Sequence, residues 1–393
     1  MHVLTLGTGP HGILAVSRSL ARQGVSVTLG IPDGMRCPSA MTRYARGVVR
    51  VPDPEGSGFA PFLGEWLAQN PVDVVLPLND VWLRPLALHA DALRPLAALA
   101  MAPAEAVMWA LDKERTVAEW PNGEHPLPPP LTVAAADLES ALAAWTYGFP
   151  AVVKPRSATG ADGIHLVHDA AELAVAWAEV DRDFPRPLIQ EFVDYAPEDK
   201  HALLYLFDGE GRLRVRYMYR MVEERRTIRS AGGGRCQGGV SLVWESAFDA
   251  DLLARGQALL EGMGWRGFAE VECVRARGDR APRLMEVNAR FPGTIGLALG
   301  QGVEFALGAC QAALGRPIAP QLDVRPGRRG RQDWLTLLGA RHWRPLVRAL
   351  DPRIEGANPL LPELALIRSE AGRLLRKRWP KSRPRSRPVV PVG

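Results

Sequence analysis

The sequence predicts a mixed fold, α/β at its N-terminal end and α+β beyond it, on three observations. "HVLTLG" at 2–7, a helical pattern over 12–23 and "VSVTLG" at 25–30 form a βαβ unit, the opening of a Rossmann-like parallel sheet. A proline-rich connection, "PNGEHPLPPPLTV", then interrupts the chain. After it, longer strands follow one another with few helices between them, among them "HALLYLFD", "RLRVRYMYRMV", "GFAEVECVRA" and "PRLMEVNARF".

Bulk properties narrow the class. A chain of 393 residues is too long for one small core, so two or three domains are expected. Its 47% apolar and 23% charged residues are ordinary for a soluble globular protein. The four cysteines, Cys37, Cys236, Cys273 and Cys310, form no C-x-x-C pair, which favours reduced thiols and a cytoplasmic protein over a disulfide frame or a zinc site. The first residues lack a basic n-region, and no apolar run approaches the ~20 residues of a membrane span. Much of the net charge of +5 lies in the tail "LLRKRWPKSRPRSRPVVPVG". It reads as a solvated, disordered end, and nucleic acid is not an expected partner because no aromatic spacing in the tail supports one.

Gly7-Thr8-Gly9-Pro10-His11-Gly12 is a G-x-G-x-x-G between the first strand and the first helix. A dinucleotide site also needs an acid at the end of the second strand. That strand ends in Leu29-Gly30, and Asp33 lies beyond Pro32, so the stretch reads as an anion-binding or purely structural turn. "VDVVLPL" at 72–78 is a further strand, with Asn79 and Asp80 just past its carboxyl end, where ligands of parallel sheets sit. "ALDKERTVAEW" is helical and carries Lys113.

Beyond the connection come a helix at 137–147, the strand "PAVVKP" ending in Lys154, the loop "RSATGADG" at 156–163 and the strand "IHLV". A lysine beside a small-residue loop suits a phosphate cradle, although either lysine alone reads equally as a solvated charge. The helix "AAELAVAWAEV" leads to "LIQEFV", whose Gln190, Glu191 and Val193 suit an adenine-reading edge or a plain edge strand. The turn Gly209-Glu210-Gly211 joins two longer strands, and the glycine cluster "AGGGRCQGG" precedes a helix at 249–263.

The strongest signal is a pair of strand faces. In "LMEVNAR", alternation puts Glu286, Asn288 and Arg290 on one side, and in "FAEVECV" it puts Glu270 and Glu272 together. Carboxylate and amide oxygens of this kind suit Mg²⁺ shared with nucleotide phosphates, whereas zinc would call for His or Cys. The rival reading is a salt-bridged, solvated sheet face.

In order, "DK" at 112–113, "VVKPRSATGADGI", "IQEFV", the acid pair after it, "FAEVEC" and "LMEVNARF" resemble the ATP-grasp superfamily, closest to its carbamoyl-phosphate-synthetase-like, carboxylate–amine ligase members. The resemblance covers roughly residues 1–315. It implies a Rossmann-like pre-ATP-grasp domain at 1–110, a small lobe with a phosphate loop at 111–187, a large lobe with a metal site at 188–317 and a basic extension at 318–393. It further implies that Lys113 and Lys154 hold ATP phosphates under a loop containing Ser157, Gly160 and Gly163. Gln190, Glu191 and Val193 would hold adenine, and Glu198 or Asp199 the ribose. Glu272, Glu286 and Asn288 would bind Mg²⁺, or Mn²⁺ in its place. Arg290 would steady the transferred phosphoryl group, with Arg220 and Lys154 also catalytic, and Gly9, His11, Asn79 and Asp80 would face the acceptor. The loop has fewer glycines than is usual, and Ala289 stands where the family usually has proline.

The implied reaction is attack of a substrate carboxylate on the γ-phosphorus of ATP, then displacement of phosphate by an amine. The expected partners are therefore small-molecule carboxylates and amines, and a homodimer is compatible with the sequence. An NAD(P)-binding Rossmann oxidoreductase and a non-catalytic ATP-binding protein are the alternatives.

Overall fold

The computed structural model describes residues 1–331 apart from 9, 36, 38, 39, 41, 119–123, 159–161, 225–227, 231–234, 237–240 and 279. The first unit runs β1 (His2–Leu6), α1 (Pro10–Arg22), β2 (Ser26–Pro32), β3 (Gly47–Val51), α2 (Phe59–Gln69), β4 (Val74–Pro77), α3 (Asp80–Leu88), α4 (Ala90–Leu93), β5 (Ala98–Leu99), α5 (Ala104–Ala110) and α6 (Lys113–Ala118). Next come β6 (Thr132–Ala134), α7 (Leu138–Ala144), β7 (Ala151–Lys154), β8 (His165–Val167), α8 (Ala170–Asp183) and β9 (Leu188–Glu191). The last stretch holds β10 (Lys200–Phe207), β11 (Leu213–Glu224), β12 (Ile228–Ser230), β13 (Arg235–Cys236), β14 (Ser241–Ser246), α9 (Ala250–Gly262), β15 (Gly267–Arg275), β16 (Pro282–Asn288), α10 (Gly296–Leu299), α11 (Phe305–Ala313) and β17 (Arg329–Arg331).

The first sheet is parallel, in the order β3-β2-β1-β4-β5. Its central strands are nearly continuous apolar runs because helices cover both faces. Gly7 ends β1 where a Cβ would come within 2.5 Å of the Ile13 side chain, so the close seat of α1 on the strand requires glycine there. The strand order reverses between β1 and β4. That puts the turn after β1 beside Asn79, whose Oδ1 accepts the Thr8 N–H at 2.7 Å.

A second sheet, β16-β15-β10-β11-β14-β17, is built mainly from antiparallel hairpins. Along β10, Tyr205 reaches α9 by donating its hydroxyl to the Leu253 carbonyl at 2.8 Å, while Leu206 packs on Gly308 of α11. Successive residues thus meet helices on opposite faces, and both faces of the strand are buried. The third sheet has the order β13-β12-β8-β7-β9-β6. Its β12 and β13 come from the excursion between β11 and β14 and add to the edge at β8. Helices α7, α8 and α9 each begin at an aspartate, where Asp137, Asp169 and Asp249 accept the amides of Ser140, Glu172 and Leu252.

The first sheet and the second share one apolar core, while the third has its own, built on Val153, Leu173, Trp177 and Ile189. β9 is hydrogen-bonded into the third sheet with β6 and β7. The expected division at 187/188 therefore falls one strand early. Among the described residues no helix is long and apolar enough to cross a membrane, and Cys37, Cys273 and Cys310 are free and buried.

Candidate active site

Strands β15 and β16 pair so that Glu270 faces Asn288 and Glu272 faces Glu286. Opposed residues of an antiparallel pair share one side, with Cβ atoms about 5 Å apart. A bulge follows Glu272, leaving Met285 as the extra residue. Glu270 is 1% exposed and accepts hydrogen bonds from the Tyr219 hydroxyl at 2.9 Å, Asn288 Nδ2 at 3.1 Å and Arg290 Nη1 at 3.0 Å. Burial, then the charge of Glu272, raises its pKa well above the usual carboxylate range, against the pull of Arg290.

Arg290 also donates Nε to Asp80 at 3.2 Å and Nη2 to Asn288 Oδ1 at 3.2 Å. Burial opposes its charge, but Asp80 and Glu270 outweigh that and hold the guanidinium protonated. Glu286 lies 3.6 Å from the Lys113 ammonium and accepts Asn288 Nδ2 at 3.0 Å. Burial works against its ionisation, and Lys113 and Asn288 reverse this to leave its pKa low.

The opposite wall comes from the third sheet and the helix before it. Asp112 and Arg156 pair through two hydrogen bonds, at 2.7 and 2.5 Å, and the Lys113 amide donates to the Arg156 carbonyl at 3.0 Å. Lys113 Nζ donates to the Ala158 carbonyl at 2.9 Å, so α6 and the loop after β7 are stitched together. Lys154 is 5% exposed and donates to Gln190 Oε1 at 2.8 Å, while Gln190 Nε2 donates to the Thr132 hydroxyl at 2.8 Å. Burial, reinforced by Lys113, lowers the Lys154 pKa to about 7. A cleft of about 860 Å³ separates the two walls, with Lys113, Ser157 and Asp162 on one side, Glu286, Asn288 and Arg290 on the other, and Asp80 and Arg84 from the first unit.

No protein-family model matches the sequence. A D-alanine–D-alanine ligase of Ralstonia pickettii is 28% identical over 200 residues, which make up 48% of this chain and 56% of the relative's own length. The matched stretch thus spans little more than half of that relative. Among solved structures, a β,γ-ATP complex of biotin carboxylase from Campylobacter jejuni superposes with a TM-score of 0.65 at 13% identity, covering 81% of this chain and 72% of its own. An L-amino acid ligase from Bacillus licheniformis gives 0.61 at 17% identity, over 79% and 74%. This chain has the ATP-grasp fold.

Of the expected site residues, Asp80, Lys113, Ser157, Glu286, Asn288 and Arg290 line the cleft. Glu191 ends β9, where its amide donates to the Leu131 carbonyl at 2.8 Å and its carboxylate accepts the Leu131 amide at 3.2 Å. Val193 is buried against Tyr195 and Val274. Asp199 accepts from Arg280 at 2.7 Å, while its neighbour Glu198 is exposed. Gly163 adopts φ +72° with the Pro155 ring 2.7 Å from where a Cβ would lie, so the turn itself demands glycine. Gly9 and Gly160 lie outside the described residues. His11 lies in the first turn of α1.

Arg220 is a correction. It neighbours Tyr219, which points at Glu270, so alternation turns Arg220 to the other face of the sheet. There it is exposed and pairs with Glu245 at 2.8 Å. Asn79 accepts the Thr8 amide through its Oδ1 at 2.7 Å.

Lys200 went unnoticed in the sequence. Its ammonium lies 3.2 Å from Glu272 and 3.7 Å from Glu224, with all three side chains largely buried. Only the pairing of β10 with β15 brings it there. Glu270 was legible on the right face, but its role as the common acceptor for Tyr219, Asn288 and Arg290 was not. Among the described residues no three acidic, histidine or cysteine side chains form a finished metal cage. Mg²⁺ fits nevertheless, because it takes one or two carboxylates and completes its shell with phosphate oxygens and water. Glu272 and Glu286, facing each other beside Asn288, are such a set.

Proposed function

We propose that this chain is a Mg-ATP-dependent ligase that activates a small-molecule carboxylate as an acylphosphate and passes it to an amine. The observation that carries this reading is the meeting of Glu286 and Asn288 with Lys113 and Arg290 around one cleft, with Glu272 opposite Glu286 on the paired strand. Its fold is shared with a biotin carboxylase in a β,γ-ATP complex and with an L-amino acid ligase.

Lys113 and Lys154 hold the phosphates, with Ser157 and Gly163 of the loop after β7 beside them. Gln190, Glu191 and Val193 receive adenine, and Glu198 receives the ribose because Asp199 is engaged by Arg280. Glu272, Glu286 and Asn288 would hold Mg²⁺, or Mn²⁺ in its place, which supplies neutralisation of the phosphate charge. Arg290, kept charged by Asp80 and Glu270, faces the phosphoryl group in transfer. The carboxylate oxygen bonds to the γ-phosphorus as the bond to the ADP oxygen breaks. The amine then bonds to the acyl carbon, and phosphate leaves. Positioning and charge neutralisation are the protein's share of the first step.

On this reading residues 1–110 form the Rossmann-like pre-ATP-grasp domain, the small lobe extends to about 193 and the large lobe to 317. The protein would act in the cytoplasm. Closure of the Thr8 turn by Asn79, with no acid ending β2, favours an acceptor-side role for that turn over nicotinamide binding. Isothermal calorimetry with Mg-AMPPNP and with NADH separates the two. We expect binding of the first and none of the second, and the converse result would overturn the reading.

A further inference from the structure

We infer that Lys200 is a positioning residue for the divalent-ion site: it holds the Glu272 carboxylate opposite Glu286, with Glu224 as the anion that balances its charge. The inference rests on the ligase reading above and gives a role to a buried ion cluster that reading leaves unused.

Glu272 and Glu286 are opposed on β15 and β16, and like charges directly opposite on paired strands repel. Each of the two has an ammonium of its own. Lys113 lies 3.6 Å from Glu286, and Lys200 lies 3.2 Å from Glu272. The two lysines differ in what else they meet. Lys113 lines the cleft, where it would serve the phosphates. Lys200 has a second carboxylate instead, that of Glu224 at 3.7 Å. With an anion on either side, its charge is taken up, so it acts on the site through Glu272 and not on the nucleotide.

The sheet builds this cluster from three adjacent strands, β15, β10 and β11. Ala202 is opposite Glu272 and Lys200 is opposite Val274, so Lys200 is the diagonal neighbour of Glu272 on the same face. A long side chain spans that diagonal. Glu224 arrives from the other side through a break in the strand period. Met221 pairs with Trp244 and Glu223 with Val243, which leaves Val222 as an extra residue in β11. Unbroken alternation from Tyr219 would turn Glu223 inward and Glu224 outward. The bulge re-aims them: Glu223 is exposed, and the Glu224 side chain is 3% exposed beside Lys200. Because Glu224 supplies a second anion, Lys200 keeps a partner when Glu272 shares its charge with an ion.

The test is the affinity of the full chain for Mn²⁺ in the presence of AMPPNP, read by electron paramagnetic resonance. It is run as a cycle of Lys200→Met, Glu272→Gln and the double variant. Lys200→Met should weaken Mn²⁺ by about 10- to 100-fold, the usual loss on removing a group that orients a metal ligand. Lys200→Arg keeps the charge and should recover most of that loss. In the Glu272→Gln background the lysine substitution should change Mn²⁺ affinity by less than about threefold, because the carboxylate it positions is gone. Calorimetry with ADP in EDTA should give the parental affinity for every variant. Lys200→Met leaves buried carboxylates without their cation. Should it fail to fold, the same substitution is made in Glu224→Gln and compared with that single variant, where the same loss is expected. Parental Mn²⁺ affinity in Lys200→Met, an equal loss in the Glu272→Gln background, or an equal loss of metal-free ADP binding would each overturn the positioning role while Mg-AMPPNP binding by the parent still stands. A parent chain that binds neither Mg-AMPPNP nor Mn²⁺ would overturn the ligase reading itself, and this role with it.

Discussion

Arg290, just beyond β16, and Asp80, at the start of α3, meet at 3.2 Å across the boundary between the second sheet and the first unit. The same guanidinium holds Glu270 at 3.0 Å, so one side chain joins the acidic sheet face to the start of α3. Removing it acts twice. Arg290→Met should lower ADP release by about 100- to 1,000-fold, the usual effect of losing a transition-state donor. It should also leave Glu270 buried without its cation, lowering the melting temperature. Asp80→Asn keeps that cation in place and should cost only about tenfold in rate. Equal losses in the two variants would show that Arg290 does not face the reacting phosphoryl group.

Glu286 touches both Lys113 and Asn288, and Glu286→Gln preserves its shape while removing the charge. Mg-dependent ADP release should vanish, and circular dichroism should remain that of the parent. Mn²⁺ bound in the presence of AMPPNP, followed by electron paramagnetic resonance, should weaken at least tenfold (about 1.4 kcal/mol). A parental Mn²⁺ titration would remove Glu286 from the metal set.

Lys154 carries a pH dependence whose sign follows from its lowered pKa of about 7. An unfolded lysine keeps its proton until about pH 10.4, so between those values the unfolded chain binds more protons. The burial cost is fully felt below pH 7 and fades as the pH rises. Stability of the nucleotide-free protein should therefore climb from pH 7 towards 10 by roughly 1 kcal/mol per unit at most. Urea melts of Lys154→Met should lack this slope. Near pH 8, Mg-ATP should also bind with uptake of about one proton, seen by calorimetry in buffers of different ionisation enthalpy.

Asp199 and Glu198 are adjacent, yet only Asp199 is tied to Arg280. Glu198→Gln should raise the ATP KM by about tenfold without altering the melting temperature. Asp199→Asn should leave the KM unchanged and cost about 1 kcal/mol of stability or less, since the partner arginine is exposed. Reversed effects would move the ribose to Asp199.

The site was legible where strand alternation alone decides direction. Glu270, Glu272, Glu286 and Asn288 could be put on their faces from a period of two. The same rule applied to Tyr219 and Arg220 separates them, but choosing which of the two looks inward needs the neighbouring strands. Arg220 was accordingly misplaced. Lys200 lies at the start of a strand whose partner is more than seventy residues away, and local sequence carries no trace of that pairing.

What the chain alone determined was local: the apolar parallel strands, the aspartate-capped helices, the glycine at the β1 turn and the faces of β15 and β16. These follow from backbone sterics, capping and periodicity, which act over a few residues. Tertiary structure decided the rest: the opposition of Glu272 and Glu286, the seat of β9, the bond from Arg290 to Asp80 and the approach of Lys113 to Glu286. Each depends on sheet order and on packing between distant segments, where one residue of register or one turn of helix reassigns every contact.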